Sequence, residues 1–383
     1  MDSNQYKVNK ANAYNGWDPL KQVILGNVYE PEFFESVGDS KLRDLLQQIL
    51  YETHEDLANI RKTLEDLGVE VIQPARNTMD GVREEDMFDT IQDCMDAFGE
   101  EQVKFTQKPC LMPRDTWVTM GDKILFTGSD FTNPYEINPD IIDHYPVKNL
   151  IERDGSGFSI SRGFGASSSH TYSNEFWAPQ IIRVGNKLII DQEDKPNLAK
   201  WVLDKYPQFT SANIAVGGHT DGSMCLPKPG LVIHTPFIDG SCFKETLPGW
   251  DILEIQNPNQ MVSDNAHAWN GMMSWRAEKD ITEGRWWTPE AKSNPELVKF
   301  VDSYLNTWVG FAEESIFEVN MLSVSEEVIL SLNYQKEVHD KLKKHGMEPI
   351  YCRFRHRNFW DGGLHCLTLD TYREGGMQDY FAK

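Results

Sequence analysis

The sequence predicts an α/β protein in which a strand–strand–helix–strand module recurs about five times along the chain. Short β-prone runs occur in pairs around glycine-containing turns, as at 181–190 (IIRVGNKLII), and this pattern is typical of β-hairpins. Apolar residues at helical spacing follow, most clearly at 42–67. A glycine then ends the helical pattern, and another β-prone run returns. Repetition of this length favours a radially repeated architecture.

The predicted elements follow one another in a regular order. A strand at 21–26 precedes the helix at 42–67, and Gly68 separates that helix from a strand at 69–72. The later modules contain hairpins at 116–126 and 181–190, a helix at 197–206, a strand at 230–234, a short segment at 243–247, a strand at 251–255, a hairpin from 320–324 to 328–332, a helix at 335–344 and a strand at 348–352.

Two stretches interrupt this order. Residues 154–169 are rich in Gly and Ser, which indicates either a lid or a solvated loop. Residues 261–289 are rich in Trp, which indicates either a packed insertion or an oligomer contact.

The composition excludes several classes of function. The 383 residues carry a net charge of −22, and such a surface repels phosphate backbones and anionic lipids. We therefore expect no nucleic-acid partner and no membrane partner, and no apolar run approaches the ~20 residues of a membrane span. The six cysteines show no CxxC spacing, which argues against a zinc site. The polar N-terminus lacks the pattern of a signal peptide, so we expect a reducing, cytoplasmic location.

A glycine-rich stretch near the C-terminus carries the most informative cysteine. Residues 359–370 read FWDGGLHCLTLD, so Cys366 is expected where a glycine loop enters a strand. A thiol in such a place can act as a nucleophile when a base lowers its pKa. The alternative is a buried structural cysteine, which is the commoner fate of a free thiol.

A second glycine-rich stretch supplies a base and an acid. Residues 216–222 read VGGHTDG, so His219 and Asp221 are two residues apart. On a strand, residues at this spacing point to the same face. The sequence therefore predicts that an imidazole and a carboxylate are presented together, and this favours the nucleophile interpretation of Cys366.

Five motifs, taken in order, resemble those of one known family. Residues 14–26 (YNGWDPLKQVILG) resemble its YNEWDPLEEVIVG, 112–115 (MPRD) its PRD segment, 219–221 (HTD) its HID, 362–366 (GGLHC) its GGFHC, and 376–380 (GMQDY) its GTLQSYL. The family is the amidinotransferases, with the glycine amidinotransferases the most similar members. The resemblance spans nearly the whole chain and preserves the order of the motifs.

The resemblance implies the pentein fold, an α/β propeller of five ββαβ modules around a pseudo-fivefold axis, as a single domain over residues 1–383. It also implies ping-pong transfer of the amidino group from L-arginine to a small amine, with glycine the first acceptor to consider. The implied partners are a small guanidino donor and an amine acceptor, and no metal or organic cofactor is implied. A homodimer is compatible with this family.

The resemblance also assigns roles to the motif residues. Cys366 would attack the guanidinium carbon, and His219 would protonate the leaving amine and then deprotonate the acceptor amine. Asp115 and Asp221 would hold the planar cation through charge-assisted hydrogen bonds, although Asp115 is also compatible with a turn residue or an ion-pair partner of Arg114. The other expected substrate-contacting residues are Arg114, Gly363 and Glu313.

The sequence departs from the family at the position of a catalytic acid. The family has an FDAADF segment where this chain reads FWAPQ at 176–180. Trp177 therefore stands where the aspartate is expected. If another acid supports His219, Glu175 is the nearest one along the chain.

Two further departures concern the substrates. The family's WMSSKW segment, whose serines touch the donor, corresponds to Glu313, Glu314 and Ser315. Ile238 aligns with an arginine that holds the donor's carboxylate, and an isoleucine offers neither charge nor a hydrogen-bond donor. The added carboxylates favour an amine-bearing cation over an anionic group.

Three functions remain open from the sequence. The first is amidino transfer from arginine to a small amine. The second is hydrolysis or deimination of a guanidine group, because penteins of that kind also use Cys, His and acidic residues. The third, prompted by Trp177, is a binding protein that kept the fold without catalysis.

Overall fold

The fold is seen in the part of the chain that the computed structural model describes. These residues are 11–73, 89–98, 109–126, 151–152, 178–191, 198–214, 220–236, 238–256, 294–305, 308–309 and 316–382. Within them, the strands form five three-stranded sheets. None of the helices described there is long and apolar enough to cross a bilayer.

The five sheets share one topology. In each, a central strand pairs antiparallel with one neighbour and parallel with the other. The strands, listed by sheet with the central strand second, are β15 (Thr368–Arg373), β1 (Leu20–Leu25) and β2 (Glu70–Ile72); β3 (Trp117–Met120), β4 (Lys123–Phe126) and β5 (Ile151–Glu152); β6 (Ile181–Val184), β7 (Lys187–Asp191) and β8 (Thr210–Ile214); β9 (Met224–Lys228), β10 (Leu231–His234) and β11 (Asp251–Glu254); and β12 (Leu322–Ser323), β13 (Val328–Ser331) and β14 (Glu348–Tyr351).

Helices connect the central strands to their parallel neighbours, as a parallel pair requires. The helices are α1 (Ser40–Asp66), α2 (Ile91–Phe98), α3 (Pro113–Thr116), α4 (Leu198–Lys205), α5 (Thr220–Ser223), α6 (Ser241–Thr246), α7 (Pro295–Tyr304), α8 (Lys336–Lys344) and α9 (Arg357–Trp360). Helices α1, α4, α6 and α8 are the crossovers of four sheets. The connection of the remaining sheet, at 127–150, lies outside the described residues. The strand–strand–helix–strand module predicted from the sequence is confirmed in these four sheets.

The ends of helix α1 and two hairpin turns were predicted correctly, because capping and glycine residues determine them locally. Helix α1 begins at the N-cap Asp39, whose side chain accepts hydrogen bonds from two backbone N–H groups. It ends before Gly68, whose φ of 80° favours glycine. The hairpin turns at Gly121 and Gly185 have φ values of 60° and 65°, as the Gly-Asp and Gly-Asn turns predicted.

Two local predictions were wrong. The strand β9 (Met224–Lys228) was not predicted, because Pro227 cannot donate to the ladder and lysine is disfavoured in strands. Its pairing with β10 is correspondingly irregular between Leu231 and Ile233. The stretch that carries Asp221 was expected to be a strand, but it forms the short helix α5 (Thr220–Ser223).

The first and last parts of the chain share one sheet. Strand β15 pairs antiparallel with β1, with Thr368 opposite Leu25. Backbone hydrogen bonds from Asn12 to Thr371 and from Arg373 to Asn12 extend this contact. The strand that follows Cys366 is therefore fixed by the N-terminal strand, far away along the chain.

The segment leading into Cys366 is held against helix α1. The Arg355 backbone N–H donates to Asp56 Oδ2 at 2.6 Å, and its Nε donates to the same carboxylate at 3.1 Å. Trp360 Nε1 donates to Thr53 Oγ1 at 2.9 Å. Both acceptors are buried on α1, so α1 fixes the direction from which the chain enters the cysteine turn.

Candidate active site

The turn that carries Cys366 is tightly enclosed. Asp361 adopts a left-handed conformation with φ 54°. A Cβ atom at Gly362 would lie 2.6 Å from Met112 Cε, and one at Gly363 would lie 2.7 Å from Asn320 Cβ. Strand β15 starts directly after the turn, so the predicted glycine loop entering a strand is confirmed. Cys366 is free of disulfides and buried in this turn.

Two side chains from distant parts of the sequence contact the Cys366 sulfur. Asn320 Nδ2 donates to Sγ at 2.9 Å, and the Sγ–H donates to Asp221 Oδ2 at 3.3 Å. The oxygen of the Asn320 amide accepts the backbone N–H groups of His365 and Cys366 at 2.8 and 3.1 Å. The amide therefore fixes both the sulfur and the backbone that carries it.

The carboxylate of Asp221 lies beside the sulfur, but not in the way predicted. Asp221 lies on the helical turn α5, so the strand spacing expected for His219 and Asp221 does not apply. His219 itself lies outside the described residues, so its role as the base stays a prediction. What the structure places beside Asp221 is another imidazole, that of His365.

His365 is a side chain of the candidate site that sequence reasoning missed. Its Nδ1 lies 2.8 Å from Asp221 Oδ2, the oxygen that also faces the Cys366 sulfur. Its enclosed position and, next, the Arg114 guanidinium lower the pKa of His365, although the carboxylates of Asp221 and Asp370 act in the opposite direction. Its position next to Cys366 in the sequence was the only available signal that His365 belongs to the site. The direction in which its ring points depends on the fold of the turn.

Arg114 supports the cysteine turn from behind. Its Nε donates to the carbonyl oxygens of His365 and Thr368 at 3.0 and 2.8 Å, and its Nη2 lies 2.9 Å from Asp370 Oδ1. Arg114 is buried, and the carboxylate that it contacts here is that of Asp370. The donor contact expected for Arg114 stays a prediction, and its visible role is to hold this turn.

A buried ionic cluster lies under the site. Asp370 Oδ2 contacts Arg183 Nη2 at 2.6 Å and Arg373 Nε at 2.5 Å, and its other oxygen contacts Arg114. Burial alone would raise the pKa of Asp370, but the three guanidinium groups hold it well below its usual range. The cluster ties β15 to α3 and β6, and so positions the turn.

The other predicted site residues are less closely connected. Asp115 lies on α3 beside Arg114 and is half-buried, and its role in holding the donor stays a prediction. Ile238 is buried in an apolar cluster with Trp17 and Phe243. This environment suits an isoleucine side chain, which cannot hold the carboxylate of a donor. Four further residues of interest lie outside the described ranges: Glu175, Trp177, Glu313 and Glu314.

A cavity adjoins this group of side chains. Asp221, His365 and Arg114 form part of its wall. Other lining residues are Val118, Ile181, Arg183, Thr220, Met224, Cys225, Met321, Leu322, Ser323 and Arg373. Across the described ranges, no three His, Cys, Asp or Glu side chains come together in a way that could hold a metal ion. The arrangement suits a ligand with a planar cationic group that meets Asp221 beside the thiol.

Comparisons with known proteins find amidinotransferases that are similar in sequence to this chain. No family model matches it. It is 20% identical over 407 residues to a putative inosamine-phosphate amidinotransferase 2 of Streptomyces griseus, covering 96% of this chain and 98% of that protein. It is also 20% identical over 427 residues to the mitochondrial glycine amidinotransferase of Xenopus laevis, covering 96% and 84%.

The solved structures agree with the sequence relatives. An amidinotransferase of the saxitoxin biosynthetic pathway from Microseira wollei superposes with a TM-score of 0.61 at 19% identity, covering 97% of this chain and 99% of that one. This likeness shows the fold, and the sequence relatives extend over nearly the whole chain. The chain is therefore similar to amidinotransferases over nearly its whole length, and it has the pentein fold that the resemblance implied.

Proposed function

We propose that this protein transfers an amidino group from a guanidino donor, L-arginine in the first instance, to a small amine through a covalent amidino–Cys366 intermediate. The observation that carries the proposal is the 3.3 Å distance between Cys366 Sγ and Oδ2 of Asp221, a residue that lines the cavity. A carboxylate there can hold a guanidinium group with its carbon next to the sulfur. The amidinotransferase relatives support the same reaction class.

The first half-reaction follows from this placement. With the guanidinium hydrogen-bonded to Asp221, the Cys366 sulfur bonds to the guanidinium carbon. The bond from that carbon to the side-chain nitrogen of the donor breaks, and the proton lost from the thiol is delivered to this leaving amine. The amidino group stays on the sulfur as a cation, still beside Asp221, while ornithine leaves. We assign the proton transfer to His219, two residues before Asp221.

The second half-reaction regenerates the thiol. The acceptor amine attacks the same carbon, the carbon–sulfur bond breaks, and the proton lost by the amine returns to the site. Splitting the reaction in this way is the purpose of a covalent nucleophile. It also predicts ping-pong kinetics, because the donor product leaves before the acceptor reacts.

The acceptor is the least determined part of the proposal. Glycine is the first acceptor to test, and one relative's name refers to glycine while another's refers to inosamine phosphate. Ile238 cannot hold a carboxylate, and Glu313 and Glu314 add negative charge to a segment expected near the donor. These departures favour an acceptor with a second amine, such as a diamine, ornithine or lysine.

The mass of Cys366 after incubation with arginine tests the proposal. We expect the Cys366 peptide to gain an amidino group, and addition of an amine to remove it with formation of a guanidino product. Cys366→Ala is the control. Formation of citrulline or urea without a guanidino product would instead assign hydrolysis or deimination. A folded protein whose Cys366 acquires no adduct from any guanidine would indicate binding without catalysis.

A further inference from the structure

Asn320 lies at the centre of the candidate site although nothing in its sequence surroundings marks it. It precedes strand β12 and is fully buried. Its side-chain amide forms hydrogen bonds to three residues of the site. These bonds go to Cys366 Sγ, the His365 N–H, the Cys366 N–H and the Asp221 carbonyl oxygen.

The orientation of this amide is determined by its neighbours. Two backbone N–H groups, those of His365 and Cys366, point at one end of it at 2.8 and 3.1 Å. Because an N–H group requires an acceptor, this end must be the oxygen. The NH₂ end then faces the Cys366 sulfur, 2.9 Å away, so Asn320 is a donor to the reacting atom.

We propose that Asn320 is a catalytic residue that stabilises the Cys366 thiolate by hydrogen bonding. The inference rests on the proposed role of Cys366 as the nucleophile. When the thiol loses its proton, its hydrogen bond to Asp221 is replaced by repulsion between two anions. The bond from Asn320 strengthens at the same moment, because a donor favours the charged form of its acceptor. The buried setting of the sulfur increases this effect, since a hydrogen bond is stronger in a medium of low dielectric constant.

Gly363 acquires a role from the same geometry. It was expected to contact substrate, but a Cβ at this position would lie 2.7 Å from both Cβ and Oδ1 of Asn320. That distance is too short for either atom to remain in place. Gly363 therefore leaves room for the Asn320 side chain, and Gly363→Ala should displace the amide from the sulfur.

The substitution Asn320→Asp separates the catalytic role from the structural one. An aspartate of the same shape keeps an oxygen for the two backbone N–H groups, loses the donors to the sulfur and to the Asp221 carbonyl oxygen, and places a second carboxylate beside the sulfur. Asn320→Ser loses the same donors without adding charge, so slowing in both variants assigns the effect to the lost hydrogen bond. We expect alkylation of Cys366 by iodoacetamide at neutral pH to slow by about ten- to hundredfold, the worth of a hydrogen bond to a charged group. Alkylation is followed by mass spectrometry of the Cys366 peptide. Cys242, half-buried on α6, is the internal control, and its rate should not change.

The measurement needs no substrate, so it distinguishes this inference from the proposed function. Slower alkylation in a protein that turns over no guanidine would support the role of Asn320 and reject the amidino transfer. An unchanged alkylation rate in folded Asn320→Asp would overturn the inference even if the enzyme is an amidinotransferase. Asn320→Ser is measured beside it, since its uncharged hydroxyl can accept a backbone N–H but is too short to reach the sulfur, and it also serves if Asn320→Asp does not fold. The same slowing is expected there, and an unchanged rate again rejects the inference.

Discussion

The His365 ring donates a hydrogen bond from Nδ1 to Oδ2 of Asp221 across 2.8 Å. The direction follows from chemistry, because an ionised carboxylate can only accept. The lowered pKa of His365 keeps the ring neutral near neutral pH, so the bond does not depend on a charged imidazole. The carboxylate proposed to receive the donor's guanidinium is thereby held in one orientation.

We predict that replacing His365 affects donor binding through Asp221. His365→Phe keeps a ring of similar shape and removes the donor, so we expect the KM for the guanidino donor to rise by about tenfold or more. His365→Asn places an N–H close to the position of Nδ1 and should keep KM within about threefold of the wild type. Steady-state kinetics measure both. Equal effects of the two variants would show that the bond to Asp221 is unimportant.

The stability of the protein should fall on mild acidification. His365, His234 and His356 all have pKa values lowered from 6.5, with burial the first cause in each case. Below pH 6.5 these side chains bind protons in the unfolded chain before they do so in the folded one. The unfolded state is therefore favoured as pH decreases from that value towards the lowered pKa.

Urea unfolding at a series of pH values measures this dependence. His356→Asn is the most informative variant, because the ring is buried and has no role in the proposed reaction. We expect a shallower fall in the free energy of unfolding below pH 6.5 for this variant than for the wild type. An identical slope would mean that His356 does not contribute.

Removing the charge of Asp370 should destabilise the fold. Asp370→Asn leaves the guanidinium groups of Arg114, Arg183 and Arg373 with no carboxylate between them. Breaking a buried ion pair in this way costs about 3–5 kcal/mol of unfolding free energy. Asp66→Asn, which breaks an exposed pair with Lys62, is the control and should cost less than about 1 kcal/mol. Chemical denaturation compares them, and similar losses would show that the buried cluster is not structurally important.

Two thiols near the cavity should behave differently. Burial raises the pKa of Cys225, which lines the cavity, to about 12, so this thiol stays protonated at neutral pH. We predict that Cys225→Ala still forms the amidino adduct, whereas Cys366→Ala forms none and Cys366→Ser is nearly inactive. Intact-protein mass after incubation with arginine checks this. An adduct in Cys366→Ala would place the nucleophile elsewhere.

The parts of the fold that local chemistry controls could be predicted from the sequence. The hairpins around Gly121 and Gly185 and the helix α1 follow from glycine turns and helical periodicity. The candidate site could be predicted only in part. Cys366 and Asp221 belong to recognisable motifs, but Asn320 is a single buried amide whose partner is 46 residues away. No periodic pattern or motif encodes such a contact, because it depends on how two turns from different modules meet.

The last prediction concerns Asp221, whose two effects should have opposite signs. Its carboxylate is proposed to hold the donor, so Asp221→Asn should raise the KM for arginine by about tenfold or more. The same negative charge lies 3.3 Å from the Cys366 sulfur and opposes formation of a second anion there. Without substrate, the Cys366 peptide of Asp221→Asn should therefore be alkylated faster than that of the wild type. Asn320→Asp is the matched comparison, because it should slow the same alkylation. If alkylation of Cys366 slows in Asp221→Asn as well, the carboxylate supports the thiolate rather than opposing it, and the proposed division of roles between Asp221 and Asn320 is wrong.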